Sequence, residues 1–279
     1  MIGNLLPASD ADPTEPGDTN PFARAAQVLE QRMAEHEVVR SSDAYRGAMT
    51  YMWRLNMDFV VAVRAAAIAF TRYPDSEKWL LQSSMDDYMQ SAITIVSLGQ
   101  QGVFNVGRRE LRYMLESAAK CVYVDQQLPG ATPLNERIAF VADPSKVARS
   151  SIDAVDHLNL RLLPDPNGFT SAVHSTFGAL SSFTHVSETQ LQERQRRWAH
   201  GELVGFEGPA TLDRFNKIVA QAYDLILALI FEGIGPSFTG DLFVSVFDSH
   251  QDWKFHKGRY VREISKFFDY KAERQRSRF

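Results

Sequence analysis

Three groups of side chains have the types and spacing for chemistry. Ser181, His185 and Glu188 fall four and three residues apart, so a continuous helix would stack them on one face. There a carboxylate can orient an imidazole and the imidazole a hydroxyl. Arg112 and Glu116 stand one helical turn apart and can pair side by side, with Arg109 on the same ridge. Arg112, Glu116, Ser181 and His185 are therefore the candidate catalytic set, and Arg109 a candidate binding residue. Arg194 and His200, in QERQRRWAH, offer an arginine to hold phosphate and a histidine to move a proton, a workable pair for metal-independent RNA cleavage. On an unbroken helix they would lie about 9 Å apart along the axis. They meet only where the helix ends before His200, or where two chains bring two such pairs together.

A fourth group lies near the C-terminus, where Lys254, Lys257 and Arg259 alternate with Trp253, Phe255 and Tyr260. Cations so interleaved with aromatics can grip phosphate and stack on bases. The same pattern is produced by an amphipathic helix whose aromatics pack on a bundle while its basic face meets water. The polar ridges also admit a purely structural account, as ion pairs fixing helix register. A nucleophilic serine needs a strained turn and an oxyanion hole, which nothing here signals. His174 and His185 would lie about 16 Å apart along a straight helix, too far to share a metal ion. No glycine-rich phosphate loop, CxxC, HExxH or DxDxDG occurs, so neither cofactor nor metal is expected.

Two segments must position these groups, Phe104 to Val124 and Thr170 to His200. In the first, Phe104, Leu111, Leu115, Ala118 and Val122 form one apolar stripe, and Val103, Val106, Met114, Cys121 and Val124 a second. Only the ridge of Asn105, Arg109, Arg112, Glu116 and Lys120 is continuously polar, which predicts a helix buried on most sides. Glu110 projects into the second stripe and Arg108 sits beside the first, so each needs a partner; Glu110 has no opposite charge three or four residues on and must look to another helix. In the other segment His174, Ser181, His185, Glu188 and Gln192 form a polar stripe beside Val173, Phe177, Leu180, Thr184 and Leu191.

The rest of the chain reads as helices. Residues 1 to 20 hold three prolines and four acids with no lysine or arginine, the composition of a disordered acidic tail. Asn20 and Pro21 signal a helix start; helices are expected over Phe22 to Arg40 and Asp43 to Tyr73, then from a cap at Asp75 or Ser76 to about Leu98. After Pro129-Gly130 come Leu134 to Val141 and a longer helix over Ser145 to Leu163. Ala210 to Gly233 is strongly apolar and ends at Gly233, Gly235 and Pro236, and an amphipathic helix runs from Trp253 to Arg278. Leu242 to Phe247 fits a strand or a helical turn equally. The fold class expected is all-α, a bundle of long antiparallel helices with short loops. The domains expected are a disordered acidic tail over 1–20, a helical bundle over 21–250 and a basic amphipathic C-terminal helix over 251–279.

With 279 residues and 44% hydrophobic content, the chain can bury a substantial core. A net charge of −4 and a pI near 6.0 argue against a whole-protein nucleic-acid binder, though not against a local patch. The single cysteine, Cys121, cannot form an internal disulfide, and no secretory leader is evident, so the cytoplasm is the expected location. The apolar runs Phe59 to Phe70 and Ile218 to Ile234 are interrupted by Arg64 and by Gln221, Asp224 and Glu232, so no membrane partner is expected.

The Arg-x-x-x-Glu helix, Arg112 to Glu116 in RELRYMLESAAKCVYV, and the Leu-Ser-x-x-x-His segment, Leu180, Ser181 and His185 in ALSSFTHVS, together resemble a group of uncharacterised bacterial all-helical proteins related to the HEPN-type domains. The resemblance covers about a third of the chain. It implies an arginine/glutamate helix lying near a serine/histidine helix. Catalytic HEPN-type domains carry an arginine and a histidine with four to six residues between them, a spacing that Arg194 and His200 match. The resemblance then implies RNA as partner, metal-independent ribonuclease activity in a toxin or phage-defence system, and a homodimer. The alternative is a non-enzymatic scaffold or interaction module that binds a partner protein through its C-terminal helix.

Overall fold

The computed structural model describes residues 20–148, 151–184, 187–199, 202 and 205–268, and the fold is all-α, with no strand among them. The expected tail and the end of the C-terminal segment lie outside these residues. Contacts divide the chain into two compact units, the first ending at Ser42 and the second beginning at Asp43.

In the first unit α1 spans Pro21–Arg40. Its start follows from two neighbouring residues: Pro21 needs no N–H partner, and the Asn20 Oδ1 accepts the Phe22 N–H at 3.0 Å.

The second unit is built on α2 (Asp43–Phe70), α3 (Leu80–Gln100), α4 (Phe104–Gln127) and α8 (Pro209–Ser245). Helix α2 packs on α8 and α3, and α4 packs on α3 and α8. The first apolar stripe of α4 is buried as expected, with Leu111, Leu115, Ala118 and Val122 closed to solvent; of the second, Met114, Cys121 and Val124 are buried while Val106 is 37% exposed. Around this frame lie α5 (Leu134–Ala142), α6 (Pro166–Ser181), α7 (Glu188–Ala199) and α9 (Arg259–Phe267).

Four expectations are corrected. Thr170 to His200 is not one helix: α6 ends at Ser181 and α7 begins at Glu188. Ser187 starts the new helix, since its Oγ accepts the Gln190 N–H at 3.1 Å, and Ser187-x-x-Gln190 is a capping sequence. Among the described residues of Ser145 to Leu163 the only helical element is a 3-10 turn at Asp153–His157. Its backbone is satisfied by side chains instead of a helical ladder: Glu232 accepts from the Arg161 and Leu162 N–H groups, each at 2.8 Å, and Gln126 accepts from Asn159 N–H at 2.8 Å. The apolar helix does not stop at Gly233. Gly235, at φ 79° and ψ 169°, bends α8, which resumes through Leu242 and Phe243, so that stretch is helical. Thr239 Oγ1 donates to the Phe231 carbonyl and Tyr73 Oη to that of Ile234, occupying acceptors that the bend and Pro236 disturb. Finally, the C-terminal helix begins at Arg259, after a 3-10 turn at Lys254–Lys257.

One device recurs. A buried carboxylate from a frame helix accepts two consecutive backbone N–H groups of a neighbouring segment. Asp125 of α4 takes Leu80 and Leu81 at the start of α3, Asp224 of α8 takes Tyr260 and Val261 at the start of α9, and Glu232 takes Arg161 and Leu162. Helix starts expose such donors along with the positive end of the helix dipole, so an acid placed there fixes one element on another. Of the two acids that interrupt the apolar run of α8, Asp224 thus serves as a long-range helix cap, and Glu232 pins the non-helical segment that precedes α6. By length and composition the helical stretch from Pro209 is apolar enough to cross a membrane; 72% of its apolar window is buried inside the fold.

Candidate functional site

Helix α4 presents its polar ridge to the end of α6. Arg112 Nε donates to Ser181 Oγ at 2.9 Å, an Nη lies 3.4 Å from Glu116 Oε2, and the guanidinium stands over the Phe177 ring at 4.5 Å. Glu116 also accepts from Lys120 Nζ at 2.6 Å, so one carboxylate sits between two cations. Arg109 Nε donates to the Phe183 carbonyl at 3.1 Å, holding the turn that follows α6. Arg112, Glu116, Ser181 and Arg109 are therefore brought together from segments far apart in sequence.

His185 and His200 lie outside the described residues. Because α6 ends at Ser181, the helical spacing that would have stacked Ser181, His185 and Glu188 does not hold, and the relay loses its geometric basis.

The two misplaced charges of α4 both find partners on other elements. Arg108 meets Glu193 of α7 through both Nη atoms, at 3.1 and 3.0 Å, and lies over the Phe183 ring at 3.9 Å. Burial lowers its pKa from the usual arginine range, while the charge of Glu193 opposes the shift. Glu110 accepts from Ser91 Oγ at 3.3 Å.

Helix α7 borders a cavity of about 500 Å³, lined by Asn105, Gln190, Glu193, Arg194, Arg197, Trp198 and Glu202. Trp198 is 53% exposed, an unusual place for an indole, and it follows two arginines directly. The sequence signal was available in Arg196-Arg197-Trp198, an aromatic within an otherwise charged helix.

The C-terminal group differs from its base-stacking expectation. Trp253, Phe255 and Tyr260 are buried; Trp253 stacks on Phe247 at 4.3 Å between ring centres, and Tyr260 meets Phe169 edge-on at 5.0 Å. Rings so packed offer no face to a base. Lys257 and Arg259 are exposed, and the Lys254 N–H is held by Asp58 Oδ2 at 2.7 Å.

A second cavity, of about 420 Å³, opens between α4 and α5. Arg112, Tyr113, Glu116, Ser117, Lys120 and Cys121 form its α4 wall, and Leu80, Ile138, Val141 and Ala142 close it. Sequence reading missed Tyr113, Ser117 and Cys121 here, though they lie beside the polar ridge on the same helix. Tyr113 donates to Asp87, and that hydrogen bond, with burial, pushes its phenol up to about 12. Burial also raises the Cys121 thiol, which keeps it from acting as a thiolate. Behind the cavity, the fully buried Arg137 of α5 donates to Asp125 at 2.9 Å and to the Pro129, Gly130 and Thr132 carbonyls, tying α5 to α4.

One group among the described residues has metal-ligand chemistry, Asp153, Asp156 and His174, whose ligand atoms lie within 4.8 Å of one another. His174 Nε2 is already 2.8 Å from Asp156 Oδ1, and both acids are exposed. Compared with protein-family models, with curated proteins and with solved structures, the chain matches none.

Proposed function

We propose that this is a HEPN-like helical-bundle protein directed to RNA, with the strand lying along α7. The observation that supports this most is Trp198, half exposed at a cavity it shares with Arg194 and Arg197. An exposed indole beside guanidinium groups supplies stacking and phosphate contact together, the pairing that single-stranded nucleic acid requires. Trp253, Phe255 and Tyr260 of the C-terminal segment are buried and are assigned no stacking role. Arg112, Glu116 and Ser181 hold α6 against α4 beside this face, and proton transfer is assigned to His185 and His200.

The test measures binding of a fluorescent single-stranded RNA by anisotropy, with total-RNA cleavage followed in the presence of chelator. Wild type is expected to bind, the Arg194→Ala/Trp198→Ala double variant to bind at least about tenfold more weakly, and His185→Ala to bind without cleaving. Absence of RNA binding by wild type refutes the proposal.

A second reading, a non-enzymatic scaffold, is favoured by one observation: Arg112, Glu116, Lys120 and Ser181 satisfy one another as a structural network would. It predicts no cleavage by wild type or by His185→Ala, and a lower melting temperature when the network is broken.

A further inference from the structure

We infer that the cavity between α4 and α5 is a binding site for a small apolar carboxylate. Its volume of about 420 Å³ lies in the range that small-molecule sites occupy. The opposite wall is hydrocarbon, from Leu80, Ile138, Val141 and Ala142. The α4 wall carries three charges, Arg112, Glu116 and Lys120, so two cations face one carboxylate. The excess positive charge selects an anion, and the apolar wall selects one with a hydrocarbon body.

Arg112 is suited to hold such an anion. Its guanidinium has five N–H donors; the hydrogen bond to Ser181 uses the Nε one and the ion pair with Glu116 engages one Nη, which leaves donors on the other Nη. Phe177 beneath it and Ser181 beside it fix the plane, so the group is already oriented when the anion arrives. The outer wall is also lightly held. Ile138 is 53% exposed; Arg137 is the buried residue of α5 and Phe140 meets Tyr123 of α4, so the helix is held at these two side chains while Ile138 and Val141 stay partly open over the cavity. A hydrocarbon body in the cavity would cover Ile138 and Val141, which the protein alone leaves partly in water. This inference is independent of RNA: α7 and its cavity take no part in it.

Isothermal titration with octanoate, octanol and octylamine tests charge and shape separately. Octanoate is expected to bind at least about tenfold more tightly than either of the others. Ile138→Trp, which fills the cavity from an exposed position, is expected to weaken octanoate binding by at least about tenfold with the circular dichroism spectrum unchanged. Arg112→Gln should remove the preference for octanoate over octanol. Should Arg112→Gln fail to fold, the ligand series and Ile138→Trp decide alone. Equal binding of octanol or octylamine, octanoate affinity untouched by Ile138→Trp, or no heat of binding with octanoate each overturns the inference.

Discussion

Arg112 touches three different partners at once, a hydroxyl through Nε, a carboxylate through Nη and a phenyl face through its plane. Each contact restricts a different degree of freedom, so Ser181 at the last turn of α6 is held in register with α4. Ser181→Ala removes the acceptor and leaves a partly buried N–H of a charged group without it. The expected loss is about 1.5–3 kcal/mol, as for hydrogen bonds to charged groups, read as a lower denaturation midpoint with unchanged slope. Asp125 makes a prediction of the opposite kind. Burial pushes its carboxyl up to about 6, against two backbone N–H groups and Arg137, which favour the charged form. In the unfolded chain the same group titrates near 4. Between those values the native state binds more protons than the unfolded state, so this group's contribution to stability falls as pH rises from about 4 to about 6. Denaturation of wild type and Asp125→Asn across that range should show the wild type's relative stability declining and then levelling above pH 6. A flat or rising difference would contradict it.

At the scale of elements, the breaks in the chain are set by single residues. Gly235 adopts a backbone conformation open essentially to glycine alone, and a Cβ there would stand 3.2 Å from Tyr73 Oη. Gly235→Ala should therefore cost about 1–3 kcal/mol and lower the melting temperature, whereas an alanine at an ordinary helical position would not. Such points explain what could be read without coordinates. The first stripe of α4, the Asn20-Pro21 start of α1 and the need of Glu110 for a partner on another helix follow from periodicity and charge, which are local properties. The split between α6 and α7 was legible too, in Ser187 and Gln190, but the continuous polar stripe running past it suggested an unbroken helix. Residues 145 to 163 were not legible, because apolar side chains there recur near helical spacing while their backbone donors are taken by Glu232 and Gln126. A partner from another helix leaves no mark in the local pattern. The contact of Arg112 with Ser181 was open to expectation only because the two polar ridges were long enough to require each other.

For the whole molecule, the distribution of basic and aromatic groups over the surface decides where a polyanion can be held. The C-terminal segment has cations, but Trp253 and Phe255 turn inward into a packed aromatic cluster with Phe243 and Phe247, and Tyr260 packs edge-on against Phe169. Helix α7 has both, with Trp198 outside and Arg194 and Arg197 at its cavity. If RNA lies along α7, removing a guanidinium there removes a phosphate contact, and the slope of log affinity against log salt should fall by about 0.7 for each contact to a single strand. Arg194→Ala is expected to shift that slope, while Trp198→Ala weakens binding with the slope preserved, because stacking releases no counterions. Lys257→Ala/Arg259→Ala should leave both nearly as in wild type. Anisotropy titrations at several salt concentrations separate these outcomes, and a slope that responds to Lys257 and Arg259 but not to Arg194 would move the RNA to the C-terminal face.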